Sequence, residues 1–395
     1  MLRNTETWPN YSSQEIDLVK KVLQSNKVNY WTGQQCKLFE KEFSNYIGVR
    51  YSVAVANGSV GLDLAVAALN LPKGSEVIVT PRSYITSVTC VIKNKLKPIF
   101  ADVDFWSQNL SLEHIKKKIT SRTKAVILVH LAGMPCDMFP ILELTKKLNI
   151  KIIEDCSQAH GAVYNNKIVG SMGDISVWSF CNDKIISTCG EGGMVSTNNN
   201  KYFKKIWAGK DCGRNIDKIN KNNLKVGFKW IHDFEGINLR MTELQAAVGR
   251  YQLKKLDSWI KIRNRNAKKI LDTCKKYSFI DYKEFSKNIN HAYYRCYILV
   301  NNKKLKKGWN RDKIIGSLLK KKIKCNSGSC PEIYLEKSIK NKKLRPKKNL
   351  PNAKLLGQAT IAFEVHNKIS KKSIVYICSL IKRVFDQIEK KYVCL

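Results

Sequence analysis

The chain has 395 residues, with 70 Lys and Arg against 32 Asp and Glu, a formal charge of +38, and 44% hydrophobic residues. That apolar share sustains a packed core and excludes wholesale disorder, and the length implies two domains or one large α/β domain with a smaller appendage. No apolar run approaches the roughly 18–20 residues of a membrane span and Met1–Glu6 lacks an apolar signal centre, so a cytoplasmic protein is expected.

In chain order, the first 50 residues read as two helices, Ser13–Leu23 and Leu38–Tyr46, expected to pack across the large domain. From about residue 50 to 200, short apolar runs predict strands at Ser52–Ala56, Glu76–Thr80, Pro98–Val103, Ala125–His130, Lys151–Glu154, Ile175–Phe180 and Met194–Thr197. Helical patterns lie between them at Val60–Leu69, Leu112–Ile119 and Met138–Leu148. This alternation predicts an α/β fold with a mainly parallel seven-stranded sheet flanked by helices. Leu244, Val248, Tyr251 and Leu256 recur at helical spacing and predict one long helix over Thr242–Leu256. The large domain is read as residues 1–260. Residues 261–395 read as a smaller, basic α+β domain: a helix to about 276, a strand near Tyr293–Val300 and a helix near Asp312–Lys320. A loop-rich stretch over 325–350 and a closing helix Lys371–Tyr392 complete it.

Thirteen cysteines run from Cys36 to Cys394, an odd count with no CxxC pair, so they are read as reduced thiols and no metal site is expected. Residues 261–395 carry a net charge of +26 and the longer remainder +12. Such a field attracts polyanions at low salt, but the Lys- and Asn-rich composition reads as a solvated surface, and nucleic acid is not the expected partner.

Chemistry is expected where parallel strands end, because ligands of such sheets sit outside the carboxyl ends of the strands. Ile153-Glu154-Asp155-Cys156-Ser157-Gln158-Ala159-His160 is an apolar strand that ends in two acids. Such acids cap helices, and they also pair with a cationic ring nitrogen of a cofactor. Trp178-Ser179-Phe180-Cys181-Asn182-Asp183-Lys184 brings a lysine just past another strand, followed by the Gly190-Glu191-Gly192-Gly193 turn. A loop lysine is usually solvated, but one desolvated in a crevice becomes an imine-forming nucleophile. Ala56-Asn57-Gly58-Ser59-Val60-Gly61-Leu62 is a capped helix start that offers amides and a hydroxyl to a phosphate. Phosphate cup, carboxylate and amine together fit pyridoxal 5′-phosphate chemistry.

Here the chain resembles the sugar aminotransferases of the DegT/DnrJ/StrS type, within the fold-type I pyridoxal-phosphate enzymes. Besides the segments above, the resemblance rests on Gly170-Ser171-Met172-Gly173-Asp174, Gly236–Ala247 and Leu350-Pro351-Asn352-Ala353, and it runs nearly end to end. It implies that Lys184 holds the cofactor and shuttles the proton, while Asp155 pairs with the ring nitrogen and Gln158 with the ring hydroxyl. Gly58, Ser59, Val60 and Ser179 would hold the phosphate, and Tyr84 would stack on the ring. Asn238 would reach the cofactor of a neighbouring subunit in a homodimer with shared active sites. Tyr30, Trp31, Thr32 and His160 are weaker substrate-binding candidates, and His130 is expected as a hydrogen-bonded supporting group. Asp183, directly before the lysine, departs from the expected pattern and is taken to point away from the amine. The retained lysine favours transamination over the dehydration run by relatives with histidine there. The expected reaction moves an amino group from L-glutamate to a nucleotide-linked keto-deoxysugar. The alternatives are a small keto-phosphate substrate, or a basic nucleic-acid-binding or regulatory protein on this scaffold.

Overall fold

The computed structural model describes residues 7–221 and 228–389. All seven expected strands are present and join one sheet. Across it the order is Tyr51–Val55, Gly193–Thr197, Ile175–Ser179, Lys151–Asp155, Thr123–Val129, Glu76–Val79 and Lys97–Phe100. Six strands run one way. Gly193–Thr197 runs against both its neighbours, with Val195 opposite Val53 on one side and Val177 on the other. A parallel pair needs a crossover, usually a helix, and segment 180–192 holds none. That reversal matters for function: the loop leaves and re-enters the sheet at the same edge, and Lys184 lies on it.

Alternating side chains divide the sheet into two apolar faces. Val53, Val55, Val77, Val79, Ile127, Val177 and Val195 pack with helices Gly58–Ala68, Thr86–Lys93 and Asn200–Lys210. Ala54, Trp178 and Met194 face helices Gln35–Ile47 and Glu243–Leu253, so the N-terminal helical segment does cover the sheet. The helix expected over Thr242–Leu256 ends at Leu253, and the next, expected to run to about 276, already begins at Leu256 and ends at Cys274. The turn at Lys254–Lys255 redirects the chain so that Leu256 and Ile260 reach the same apolar cluster as Leu253.

The C-terminal part forms a four-stranded antiparallel sheet in the order Ile280–Asp281, Cys296–Val300, Thr360–Phe363, Cys325–Asn326. Its own cluster includes Ile270, Phe279, Ile298, Ile361 and Phe385. The closing helix is shorter than expected, Lys371–Phe385; residues 386–389 turn to bury Ile388, and the expected end at Tyr392 lies outside the described residues. The stretch expected to be loop-rich holds a 3₁₀ turn, Ile333–Leu335, and a short helix, Lys337–Lys340. Ile333, Tyr334 and Ile339 pack into the large sheet's cluster, so this segment is tied to the sheet rather than loose. Arg82, fully buried, fastens the two parts: its Nε donates to Gln108 Oε1 at 2.8 Å and its guanidinium to Thr360 Oγ1 at 3.0 Å. The cysteines among the described residues are all free. No helix among those residues is long and apolar enough to cross a membrane.

Candidate active site

A cleft of about 820 Å³ opens at the carboxyl edge of the sheet, with Gly58, Asp155, Ser179 and Lys184 on the sheet side and Tyr294, Arg295 and Ser329 opposite. Strand Tyr51–Val55 leads into helix Gly58–Ala68 through Asn57, whose Oδ1 accepts the Val60 amide at 3.0 Å. Val60 lines the cleft beside Gly58 and Ser59, and its amide is the one held by the cap. The Gly58 and Ser59 amides lie in the first turn, where helix geometry offers no internal partner, and the helix dipole favours an anion there. Gly58 is required by closeness: a Cβ there would sit 2.7 Å from Ser179 Cβ.

Asp155 ends its strand almost fully buried. Its Oδ2 accepts the Ser87 hydroxyl at 2.9 Å and its Oδ1 the Ser157 amide at 3.2 Å. Those bonds fix the carboxylate at the strand mouth, within the cleft lining. Gln158 Oε1 accepts the Ala132 amide at 2.7 Å, so its NH₂ remains as the donor toward the cleft. Ser179 is the last residue of its strand, and Tyr84 lines the mouth with 66% of its surface exposed.

Strand alternation sends Glu154 the other way. Fully buried, it accepts the Gly170 amide at 2.8 Å and the Met172 amide at 2.9 Å, and pairs with His130 Nε2 at 3.1 Å. His130 Nδ1 accepts the Cys136 amide at 3.0 Å, so Nε2 carries the proton given to Glu154. Burial opposes the charge on Glu154, but His130 and the Gly173 and Gly170 amides outweigh it and hold the carboxyl below its usual range. His130, Glu154 and Cys156 approach as closely as metal ligands do, yet Glu154's oxygens are already committed to amides.

Lys184 sits in loop 180–192, mostly buried, with its carbonyl held by Trp8 Nε1 at 2.7 Å. Asp183 does not point away as the sequence led us to expect: its Oδ1 is 2.9 Å from Lys184 Nζ and its Oδ2 accepts the Tyr294 hydroxyl. The reason is tertiary, since Tyr294 arrives from the far side of the cleft and draws the carboxylate inward. Burial disfavours the ammonium, but Tyr294 and Asp183 overcome it and raise Lys184 above the ordinary lysine range.

The remaining candidates fall elsewhere. His160 is fully buried, its ring 5.3 Å from Trp178 and 5.6 Å from Phe180, and burial lowers its pKa to about 3. It underlies the site and is not part of the cleft lining, which corrects its expected substrate contact. Tyr30 is a core residue under the Lys210 ammonium, 3.5 Å from its ring, with its hydroxyl 3.2 Å from Glu40 Oε2. Trp31 packs edge-on against Trp207, and Thr32 is exposed and donates to the Asn29 carbonyl. None of these three lines this chain's cleft; a cation and a carboxylate in the core claim Tyr30 instead. Asn238 is exposed on the surface, outside the cleft of its own chain. Sequence reading missed Ser87, Tyr294, Arg295 and Ser329. Ser87 lies in the first turn of helix Thr86–Lys93 with no local sign of its role, and the other three enter only when the small sheet docks.

The profile of the DegT/DnrJ/EryC1/StrS aminotransferase family matches residues 9–382. A GDP-perosamine synthase of Escherichia coli O157:H7 is 34% identical over 384 residues, covering 96% of this chain and 97% of that protein. The crystal structure of an aminotransferase from Psychrobacter cryohalolentis superposes with a TM-score of 0.95 at 43% identity, over 96% of this chain and 98% of that one. An E. coli GDP-4-keto-6-deoxy-D-mannose-3-dehydratase with bound hydrated PLP superposes with a TM-score of 0.84 at 25% identity, over 95% and 99% of the two chains. The fold is that of the fold-type I aminotransferases, and with a family match from residue 9 to 382 the chain belongs to the DegT/DnrJ/EryC1/StrS aminotransferases, pyridoxal-phosphate-dependent transaminases.

Proposed function

We propose that this enzyme moves an amino group from L-glutamate to a nucleotide-linked keto-deoxysugar, with pyridoxal 5′-phosphate held in the cleft described above. The observation that carries the reading is the convergence of an amine, a buried carboxylate and free helix amides on one cleft of about 820 Å³. When bound, the cofactor supplies an electrophilic aldehyde and a ring that takes up electrons from a broken carbon–hydrogen bond.

The chain's own residues do the rest. Gly58 and Ser59 donate their amides to the phosphate, with the Ser59 and Ser179 hydroxyls beside them. Asp155, oriented by Ser87, holds a proton on the ring nitrogen, which a carboxylate favours by opposite charge. Gln158 donates its NH₂ to the ring hydroxyl, and Tyr84 covers a ring face. Lys184 Nζ anchors the cofactor and moves the proton between carbon atoms. Arg295, on the opposite wall, receives the anionic end of the substrate. The exposed place of Asn238, near exposed Phe234 and Ile237, supports a homodimer in which it serves the neighbouring cleft. The likeness to a GDP-perosamine synthase favours a nucleotide-linked keto sugar over a small keto-phosphate.

The test has two stages. Borohydride reduction of the loaded protein is expected to fix a pyridoxyl mass on the Lys184 peptide. Glutamate is then offered with GDP-, dTDP- and UDP-linked 4-keto-6-deoxy sugars and with small keto-phosphates. Turnover confined to the keto-phosphates overturns the substrate; absence of the Lys184 adduct overturns the site.

A further inference from the structure

The proposed function leaves Asp183 without a task, yet the fold gives it two partners. Its Oδ1 lies 2.9 Å from Lys184 Nζ, and its Oδ2 accepts the Tyr294 hydroxyl. Tyr294 also touches the amine, with its hydroxyl 3.4 Å and its ring centroid 4.8 Å from Nζ. The phenol is not free to drift. Buried Arg263 donates to the Tyr293 and Tyr294 carbonyls at 3.2 and 3.4 Å and so fixes the backbone that presents it. Asp155, Arg295, Cys181 and Glu191 line the same cleft as the amine, and His160 lies beneath it. Asp155 is already engaged by Ser87 and Ser157, which leaves Asp183 as the carboxylate within bonding distance of the amine.

Resting on the reading of Lys184 as the cofactor-bearing amine, we propose that Asp183, braced by Tyr294, is a positioning residue that parks the Lys184 ammonium whenever that amine is free. An ammonium has no lone pair, so it must first release one proton to solvent. The neutral amine then condenses with the aldehyde carbon, forming the carbon–nitrogen double bond and expelling one water. Asp183 therefore sets the pH at which the cofactor loads, and it keeps the released lysine beside the reacting carbon rather than swung into solvent. The raised Lys184 pKa agrees in direction, with Tyr294 and Asp183 both favouring the charge against burial.

The experiment uses the full-length, cofactor-free protein and competitive acetylation with isotopic acetic anhydride across pH, read at each lysine by peptide mass. In the wild type, the Lys184 midpoint is expected above that of exposed lysines. Asp183→Asn is expected to raise Lys184 acetylation at about pH 8 by about tenfold, one unit of pKa, and to leave exposed lysines unchanged. The rate of pyridoxal-phosphate loading should rise in parallel. Equal Lys184 labelling in the two proteins overturns the proposal, and so does a wild-type midpoint at or below that of exposed lysines. That second measurement needs no variant and decides the matter even if Asp183→Asn fails to fold. Borohydride trapping separates the two readings: an adduct on another lysine removes the functional assignment, while an adduct on Lys184 with an unmoved pH profile removes Asp183 alone.

Discussion

On the sheet side of the cleft, Asp155, Gln158 and Ser179 follow directly from strand ends and are oriented by close neighbours such as Ser87 and Ser157. On the opposite side, Tyr294, Arg295, Tyr297 and Ser329 come from segments more than a hundred residues later and are placed by Arg263, Arg82 and the docking of a second sheet. The first wall is local geometry repeated along a sheet edge. The second is a product of long-range packing, and it meets the first where the Tyr294 hydroxyl bonds Asp183 beside Lys184. On the proposed function, the sheet side would hold the cofactor and the other side would chiefly meet the substrate, with Tyr294 reaching across to Lys184.

Four substitutions break or sharpen that division. Lys184→Ala removes the amine itself, and turnover should fall by about 10⁴-fold or more, with loss of the visible cofactor band in a spectrum of the purified protein. Asp155→Asn keeps the shape but removes the charge beside the ring nitrogen; kcat should drop by roughly 10²–10³-fold while KM for the keto substrate stays near the wild-type value. A larger change in KM than in kcat would contradict the assignment of this wall to the cofactor.

Glu154→Gln tests the support beneath the sheet-side wall. Replacing the buried carboxylate that gathers His130 and the 170–173 amides should cost about 2–4 kcal/mol in urea unfolding. The pH dependence has a definite sign. Glu154 is held below its ordinary pKa in the folded protein, so over the interval between the two values the unfolded chain binds more protons. Its stabilisation is complete above the ordinary carboxyl value of about 4.3 and is lost as pH falls through the folded value. The gap in urea midpoint between wild type and Glu154→Gln should therefore narrow in acid.

The smallest effect belongs to the far wall. Arg295 is paired with Glu364 at 3.0 Å and lines the cleft. Arg295→Ala should raise KM for the anionic substrate about tenfold, with kcat changed less, in steady-state assays. A kcat loss matching that of Asp155→Asn would erase the distinction between the walls.

Much of this protein was legible in the chain because the relevant physics is local. Apolar runs of strand length, turn residues and helix caps marked all seven strands of the large sheet and three segments at their ends; Gly58, Asp155, Gln158, Ser179 and Lys184, whose roles the family resemblance implied, lie in those segments and line one cleft. Tertiary structure decided what depends on distant partners. It reversed Gly193–Thr197, because no helix was available to carry a crossover. It buried Tyr30 beside Lys210 and Glu40, and His160 against Trp178 and Phe180, surroundings that no local pattern announces. It turned Asp183 toward Lys184, since a phenol more than a hundred residues away bonds that carboxylate. A strand end is fixed by its own few residues, whereas the direction of a side chain in a cleft is fixed by whatever the rest of the chain packs against it.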